Sequence, residues 1–205
     1  KDIDIKIGET TKECGQLSLN SIKEACKALK KNEIDVLVTA PINKDAIQKN
    51  EANFIGHTEF LENNFEGQSL MIMASEIMKI AFITGHIALK DVKKSITKNK
   101  IIEKSKRLNI SLIQDFRIRA PKIAVLGLNP HAGENGLLGD EEEQCIIPAI
   151  NELKKEGILA FGPYPADSFF TEKNLKNFDG ILAMYHDQGL TAFKTLSFFD
   201  GVNYT

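Results

Sequence analysis

Apolar positions recur along this chain in two alternating rhythms. Ser21-Ile22-Lys23-Glu24 has capping-box spacing, and Ile22, Cys26 and Leu29 continue one face at helical intervals, which predicts a helix from Ser21 through about Lys31. Ile34 to Val38 is a short β-branched run read as a strand, ended at Thr39-Ala40-Pro41 because proline cannot donate to a ladder. A second helical stretch begins near Asn43. Met71–Ala74 and Lys79–Thr84 read as strands, and Thr97–Phe116 as a long helix with Ile101, Ser105, Leu108 and Leu112 along one side. Lys122–Leu128 reads as a buried strand, Glu141–Lys155 as a helix closed by Gly157, and Ile158–Phe161 and Asp179–Tyr185 as further strands. Strands alternating with helices long enough for crossover connections predict an α/β fold: a mainly parallel sheet with helices on both faces. No fixed-period repeat or low-complexity linker marks an internal boundary.

Composition narrows the function classes. A chain of 205 residues that is 42% hydrophobic can bury a substantial core. Its 26 basic and 28 acidic residues, net −2, are spread evenly, which leaves no basic footprint for nucleic acid and no polybasic patch for a membrane. Cys14, Cys26 and Cys145 are far apart, odd in number and without a CxxC pair, so neither a disulfide framework nor a thiolate zinc site is expected, and a reducing cytoplasm is. The apolar stretch around Ile80–Leu89 is interrupted by Thr84, Gly85 and His86 and falls short of the ~20 residues that span a bilayer. The opening KDIDIKIGE lacks the pattern of a signal peptide and an initiator Met, and the closing DGVNYT stops without a turn or cap. The chain is therefore expected to be the central piece of a longer polypeptide.

The histidines carry the candidate chemistry. They stand in Gly56-His57-Thr58, Thr84-Gly85-His86, Asn129-Pro130-His131-Ala132-Gly133 and Tyr185-His186-Asp187. Ligands of open parallel sheets bind outside the carboxyl ends of the strands, and His86, His131 and His186 each follow a predicted strand. Three imidazoles there suit a divalent ion and leave a position open for a substrate hydroxyl. No short HxxxH spacing forces any two together, so the residues alone leave two readings equally open: one shared metal site, or separate hydrogen-bonded loop histidines.

The loop from Asn129 continues through Asn135-Gly136-Leu137-Leu138-Gly139 into Glu141, Glu142 and Glu143 at a helix start. Its amides are placed to hold an anion, yet the acids compete for the same positive helix end, which favours Gly136 and Gly139 as ordinary turn residues. Neither GxGxxG nor GxxxxGK[ST] occurs, so any dinucleotide is held without a Rossmann fingerprint or a P-loop.

Taken in order, VTAPINK (Val38 to Lys44), GHTEF (Gly56 to Phe60), TGH (Thr84 to His86), GLNPHAGE (Gly127 to Glu134), PYPAD (Pro163 to Asp167) and YHDQGL (Tyr185 to Leu190) resemble the signature segments of the 4-hydroxythreonine-4-phosphate dehydrogenase family over nearly the whole chain. The resemblance implies an isocitrate and isopropylmalate dehydrogenase-like architecture. It also implies an oxidoreductase of pyridoxine (vitamin B6) biosynthesis, which oxidises 4-phosphooxy-L-threonine with NAD to a 3-oxo acid that then decarboxylates. Carried over position by position, the metal ligands fall on His86, His131 and His186, holding zinc, magnesium or cobalt. Substrate contacts fall on His57, Thr58, Lys194 and Asn203. Lys194 and Asp187 are the catalytic candidates, Lys194 as a charge partner or proton carrier and Asp187 as a residue that orients a ligand histidine or contacts the substrate, or else caps a helix. Asp167 is either a site residue or a helix cap, and Asn43 reads as a cap.

The resemblance further implies a homodimer whose site lies at the two-fold interface and draws ligands from both subunits. Residues 1–205 correspond to the central metal-binding and dimerisation region of a two-domain enzyme. The flanking segments that complete the NAD site are absent, so no cofactor-binding residue is assigned. Gly85 and Ile87 depart from the family's usual pattern, which leaves the substrate open to a paralogous four-carbon aldonate 4-phosphate. From another class, a metallohydrolase or a non-redox metal-binding domain accounts for three histidines equally well.

Overall fold

The computed structural model describes residues 8–65 and 69–205, and the chain divides into two compact units, Lys1–Ser69 and Leu70–Thr205. No linker composition marks the boundary between them.

In the first unit, α1 (Lys12–Lys30) starts where the Thr11 hydroxyl accepts from the Cys14 amide at 3.2 Å. The expected start at Ser21 is corrected: Ser21 is an exposed position inside this helix, and Glu24 of the capping-box pattern pairs with Lys27 instead of turning back to an N-cap amide. The buried side of α1 runs from Gly15 through Leu19 and Ile22 to Cys26, and it meets Ile47 and Phe54 in a small core. α2 (Lys44–Gln48) follows, capped by the Asn43 side chain on the Ala46 amide as expected, and α3 (His57–Asn64) comes next. Gly15 lets α1 touch α2, because a Cβ there would lie 1.9 Å from the Ala46 carbonyl oxygen. Ile34–Val38 is not a strand. Val36 and Val38 are 71% and 90% exposed, and no strand lies among the described residues of this unit to supply the ladder that a β-branched run requires.

The second unit is built on β1 (Ile72–Ala74), β2 (Lys79–Thr84), β3 (Lys122–Leu126), β4 (Leu159–Tyr164), β5 (Gly180–Tyr185) and β6 (Val202–Tyr204), in the order β4-β3-β5-β2-β1-β6. The β3·β4, β3·β5 and β2·β5 pairs are parallel, whereas β1 runs antiparallel to both β2 and β6. Between strands come α4 (Leu89–Ser95), α5 (Lys98–Gln114), α6 (Ile147–Lys155), α7 (Ala166–Phe169), α8 (Glu172–Asn177) and α9 (His186–Leu196).

The central strands are covered on both faces, so they read as continuous apolar runs whose alternate residues enter different cores. Ala81, Ile83, Ile123, Val125, Leu182 and Met184 pack with Ile101, Leu108 and Leu112 of α5 and Ile150 and Leu153 of α6. Ile80, Phe82, Ala124, Leu126, Ile181 and Ala183 pack on the other face with Phe169 of α7 and Phe193 of α9. Each of the large side chains contributes about 1.5–3 kcal/mol by leaving water. Gly189 seats α9 close to the sheet, since a Cβ there would lie 2.6 Å from Ile80 Cδ1.

The helix expected from Glu141 does not run uniformly. Residues Glu142–Ile146 form a π turn in which the Ile147 amide donates to the Glu142 carbonyl, and α6 follows. Pro148 has no N–H for the Gln144 carbonyl, so the regular ladder is interrupted where the π turn stands.

Candidate functional site

The order β3-β5-β2 sets side by side the carboxyl ends of the three parallel strands that precede His131, His186 and His86. His86 is an exposed residue in the loop after β2, and His186 opens α9 at the end of β5. Their rings lie 5.0 Å apart between centroids at 52°. The Phe82 ring lies 6.0 Å from that of His186. His186 Nδ1 is 3.0 Å from Asp187 Oδ1, a contact that engages Nδ1 and leaves Nε2 as the ring nitrogen available to an ion. This pair fits two corners of an imidazole site for a divalent ion. A third corner is not formed within the chain: among the described residues no three His, Cys, Asp or Glu side chains are arranged to hold one.

His131 sits in an unusual turn. His131, Ala132, Gly133, Glu134, Asn135 and Gly136 all have positive φ, from 45° at Glu134 to 87° at Gly136. Left-handed backbone costs a non-glycine residue roughly 1–2 kcal/mol, so the turn persists only if its surroundings over-determine it. Glu142 supplies that constraint. Its side chain is 2% exposed and turns back from the helix start, so that Oε1 accepts from the amides of Leu128 and Asn129 at 2.8 Å each and Oε2 from Asn129 Nδ2 at 2.9 Å. Asn129 Nδ2 also donates to Glu141 Oε2 at 2.7 Å. Lys93 of α4 pairs with Glu141, which holds the Glu141 carboxyl below its ordinary range and the Lys93 ammonium above its own, the mutual hydrogen bond being the largest cause for each.

The glycine loop is wrapped around the chain's own side chains. A Cβ on Gly133 would lie 2.7 Å from Glu142 Oε2, and one on Gly139 would lie 2.4 Å from Asn129 Nδ2. Turn residues are what Gly136 and Gly139 are, and the space that an anion would need is taken by carboxylates. Sequence reasoning missed Glu142 and Asn129 as the residues that shape the His131 turn; the available signal was a run of acids behind a glycine turn, which is costly unless the carboxylates find buried donors.

Lys194 is exposed on α9, about two turns beyond His186. Asn203 lies on the edge strand β6, opposite Met73 of β1. Asp167 falls inside α7, whose N-cap is Pro165, and so it is not the cap. His57 and Thr58 open α3 in the first unit. There the His57 Nε2 is buried without a hydrogen-bond partner, and burial first and the Lys44 charge second push its pKa below 6.5.

Comparison with known proteins agrees along the whole chain. The 4-hydroxythreonine-4-phosphate dehydrogenase of Bacteroides thetaiotaomicron is 47% identical over 206 residues, covering 100% of this chain and 57% of that relative. The protein of the same name from Sulfurihydrogenibium sp. is 41% identical, covering 100% of this chain and 63% of its own length. The crystal structure of 4-hydroxythreonine-4-phosphate dehydrogenase from Klebsiella pneumoniae superposes with a TM-score of 0.87 at 34% identity, over 97% of this chain and 60% of that one. The chain thus spans about 57–63% of the length of these relatives. The family described as pyridoxal phosphate biosynthetic protein PdxA matches residues 1–205, and the chain belongs to that family.

Proposed function

We propose that this chain is the metal-binding part of a 4-hydroxythreonine-4-phosphate dehydrogenase, which oxidises the secondary alcohol of 4-phosphooxy-L-threonine with NAD to a 3-oxo acid that loses carbon dioxide, on the route to pyridoxal phosphate. The observation that carries the reading is the His86–His186 pair, with ring centroids 5.0 Å apart at the carboxyl ends of adjacent parallel strands. The names of the relatives support the substrate.

His86, His131 and His186 are the residues that would hold a divalent ion: zinc, cobalt or magnesium. When bound, such an ion lowers the pKa of a coordinated hydroxyl and polarises a neighbouring carbonyl. Because His131 does not complete a cluster of three among the described residues, a homodimer that closes the ligand set across its two-fold axis fits the donors best. Asp187 keeps the His186 ring oriented. Lys194, on the helix that His186 opens, carries a charge suited to a phosphate or carboxylate, or to moving a proton. Asn203 stays a substrate-contact candidate on the resemblance alone, since it stands across β1 from Ile80, near the amino end of β2. His57 and Thr58, in the first unit, are the other substrate-contact candidates; the buried, unpartnered Nε2 of His57 supports a role for that residue. The three free cysteines suit a cytoplasmic enzyme, and no helix among the described residues is long and apolar enough to cross a membrane.

The test is metal content and NADH formation by the full-length protein, beside His86→Ala and His186→Ala. About one divalent ion per chain in the parent, a marked loss in both variants and turnover of 4-phosphooxy-L-threonine in preference to a four-carbon aldonate 4-phosphate are expected. Equal metal in all three proteins removes the site on which the reading stands.

A further inference from the structure

The geometry points to a positioning device beneath the three histidines: a transverse line of hydrogen bonds, Thr84 to Met184 to Gln188 to Gly127, that sets the spacing of their loops. It rests on the metal reading above. Thr84, the last residue of β2, is 2% exposed, and its hydroxyl donates to the Met184 carbonyl of β5 at 3.0 Å. The Met184 amide donates to Gln188 Oε1 at 2.8 Å, and Gln188 Nε2 donates to the Gly127 carbonyl at 2.7 Å. The line therefore crosses from β2 through β5 to the end of β3. Each strand it joins leads within a few residues to a histidine: Thr84 to His86, Met184 to His186, and Gly127 to His131.

The need for such a line lies in the sheet itself. The β3·β5 pairing extends to Val125↔Leu182, whereas β2·β5 continues to Thr84↔Tyr185. Past Leu182 the strands β3 and β5 part, and backbone groups at the opening require other partners. Gln188 spans the gap because one planar amide carries both the acceptor for Met184 N–H and the donor for Gly127 C=O. Glutamate keeps the acceptor and has no donor when ionised; leucine has neither. On the other side of β5 the Thr84 hydroxyl ties the neighbouring peptide to β2. Together with the Glu142 hold on Leu128 and Asn129, this fixes the entry of the His131 turn relative to the His86–His186 pair. Thr84 and Gln188 are thus positioning residues, acting through the backbone from which the imidazoles project.

The experiment titrates Co²⁺ into the full-length protein and into Thr84→Val, Thr84→Ser, Gln188→Glu, Gln188→Leu and His186→Ala variants, following the ligand-field absorption and, separately, the melting temperature. Thr84→Val and both Gln188 variants should bind Co²⁺ about 10-fold or more weakly, with an altered band shape, within the 10–100-fold range known for residues that support metal ligands. Thr84→Ser should restore the parent affinity and spectrum. The Thr84→Val and Thr84→Ser pair nearly conserves shape, so it carries the test even where Gln188→Leu does not fold. Parent affinity and spectrum in Thr84→Val and Gln188→Glu, with only the melting temperature lowered, overturn the positioning role while the histidine site stands. Co²⁺ uptake that is the same in the parent and in His186→Ala overturns the metal reading itself, and the inference with it.

Discussion

Replacing Glu142 by alanine should loosen the His131 turn without unfolding the molecule. The carboxylate accepts from two main-chain amides and one side-chain amide; truncation leaves the two main-chain donors without their partner, while Asn129 Nδ2 keeps its bond to Glu141. A buried donor left unsatisfied costs about 1–3 kcal/mol, so the two main-chain amides alone set a range of roughly 2–6 kcal/mol. Part of this is recovered. His131, Ala132, Glu134 and Asn135 hold left-handed backbone at roughly 1–2 kcal/mol each, and a released turn can relax toward ordinary geometry. The net loss should therefore lie near the lower end, about 2 kcal/mol, against a total stability of about 5–15 kcal/mol. Urea unfolding followed by far-ultraviolet circular dichroism reads the global term. Hydrogen exchange of a peptide covering residues 127–140 reads the local one, where about 2 kcal/mol corresponds to roughly 30-fold faster exchange. Glu142→Gln keeps one acceptor oxygen and should lose about 1 kcal/mol. A Glu142→Ala protein with parent exchange rates over this peptide and a loss under about 0.5 kcal/mol refutes the account of the turn, since that is the scatter of uninvolved surface positions.

Three further outcomes follow from the same geometry. His57 should titrate below 6.5 by NMR, and because its folded pKa is depressed, its contribution to stability is complete above that ordinary value and falls away as pH drops toward the folded one; Lys44→Ala should bring the pKa part of the way back, burial being the larger cause. Glu141 should titrate below its ordinary 4.5, giving stability that is present above 4.5 and lost as pH falls through the folded value, and in Lys93→Met its carboxyl resonance should titrate closer to 4.5; an unchanged titration would mean that Asn129 rather than Lys93 sets the shift. Gly15→Ala forces a methyl to 1.9 Å from the Ala46 carbonyl oxygen, a backbone atom that cannot swing aside, so α1 and α2 must separate at a cost of about 1–3 kcal/mol or more, read as a lower urea midpoint for the first unit.

The parts of the fold legible in the sequence are those in which local pattern and burial agree. Lys79–Thr84, Lys122–Leu126 and Gly180–Tyr185 are apolar almost throughout because they lie at the centre of the sheet and are covered on both faces, and such runs are read with little ambiguity. Ile34–Val38 carries the same β-branched signal with no strand beside it among the described residues, so composition alone could not distinguish the two cases. The start of α1 was hidden for a different reason: Thr11 caps through a single hydroxyl, while Ser21 and Glu24 have a better-known spacing and stand mid-helix. At the site, the candidacy of His86 and His186 was legible, since a histidine directly after a buried parallel strand has few places to project. What no local pattern carries is the shape of the backbone between them. The left-handed run at His131 exists because a glutamate eleven positions later folds back onto Leu128 and Asn129, and the roles of Thr84 and Gln188 arise where β3 parts from β5, a feature of strand register rather than of any one segment. On the proposed reading the imidazoles are the visible members of the site, while the Thr84 hydroxyl, the Gln188 amide and the Glu142 carboxylate hold the backbone from which they project. A substitution at those supporting positions should consequently change metal affinity while leaving every histidine in the sequence untouched.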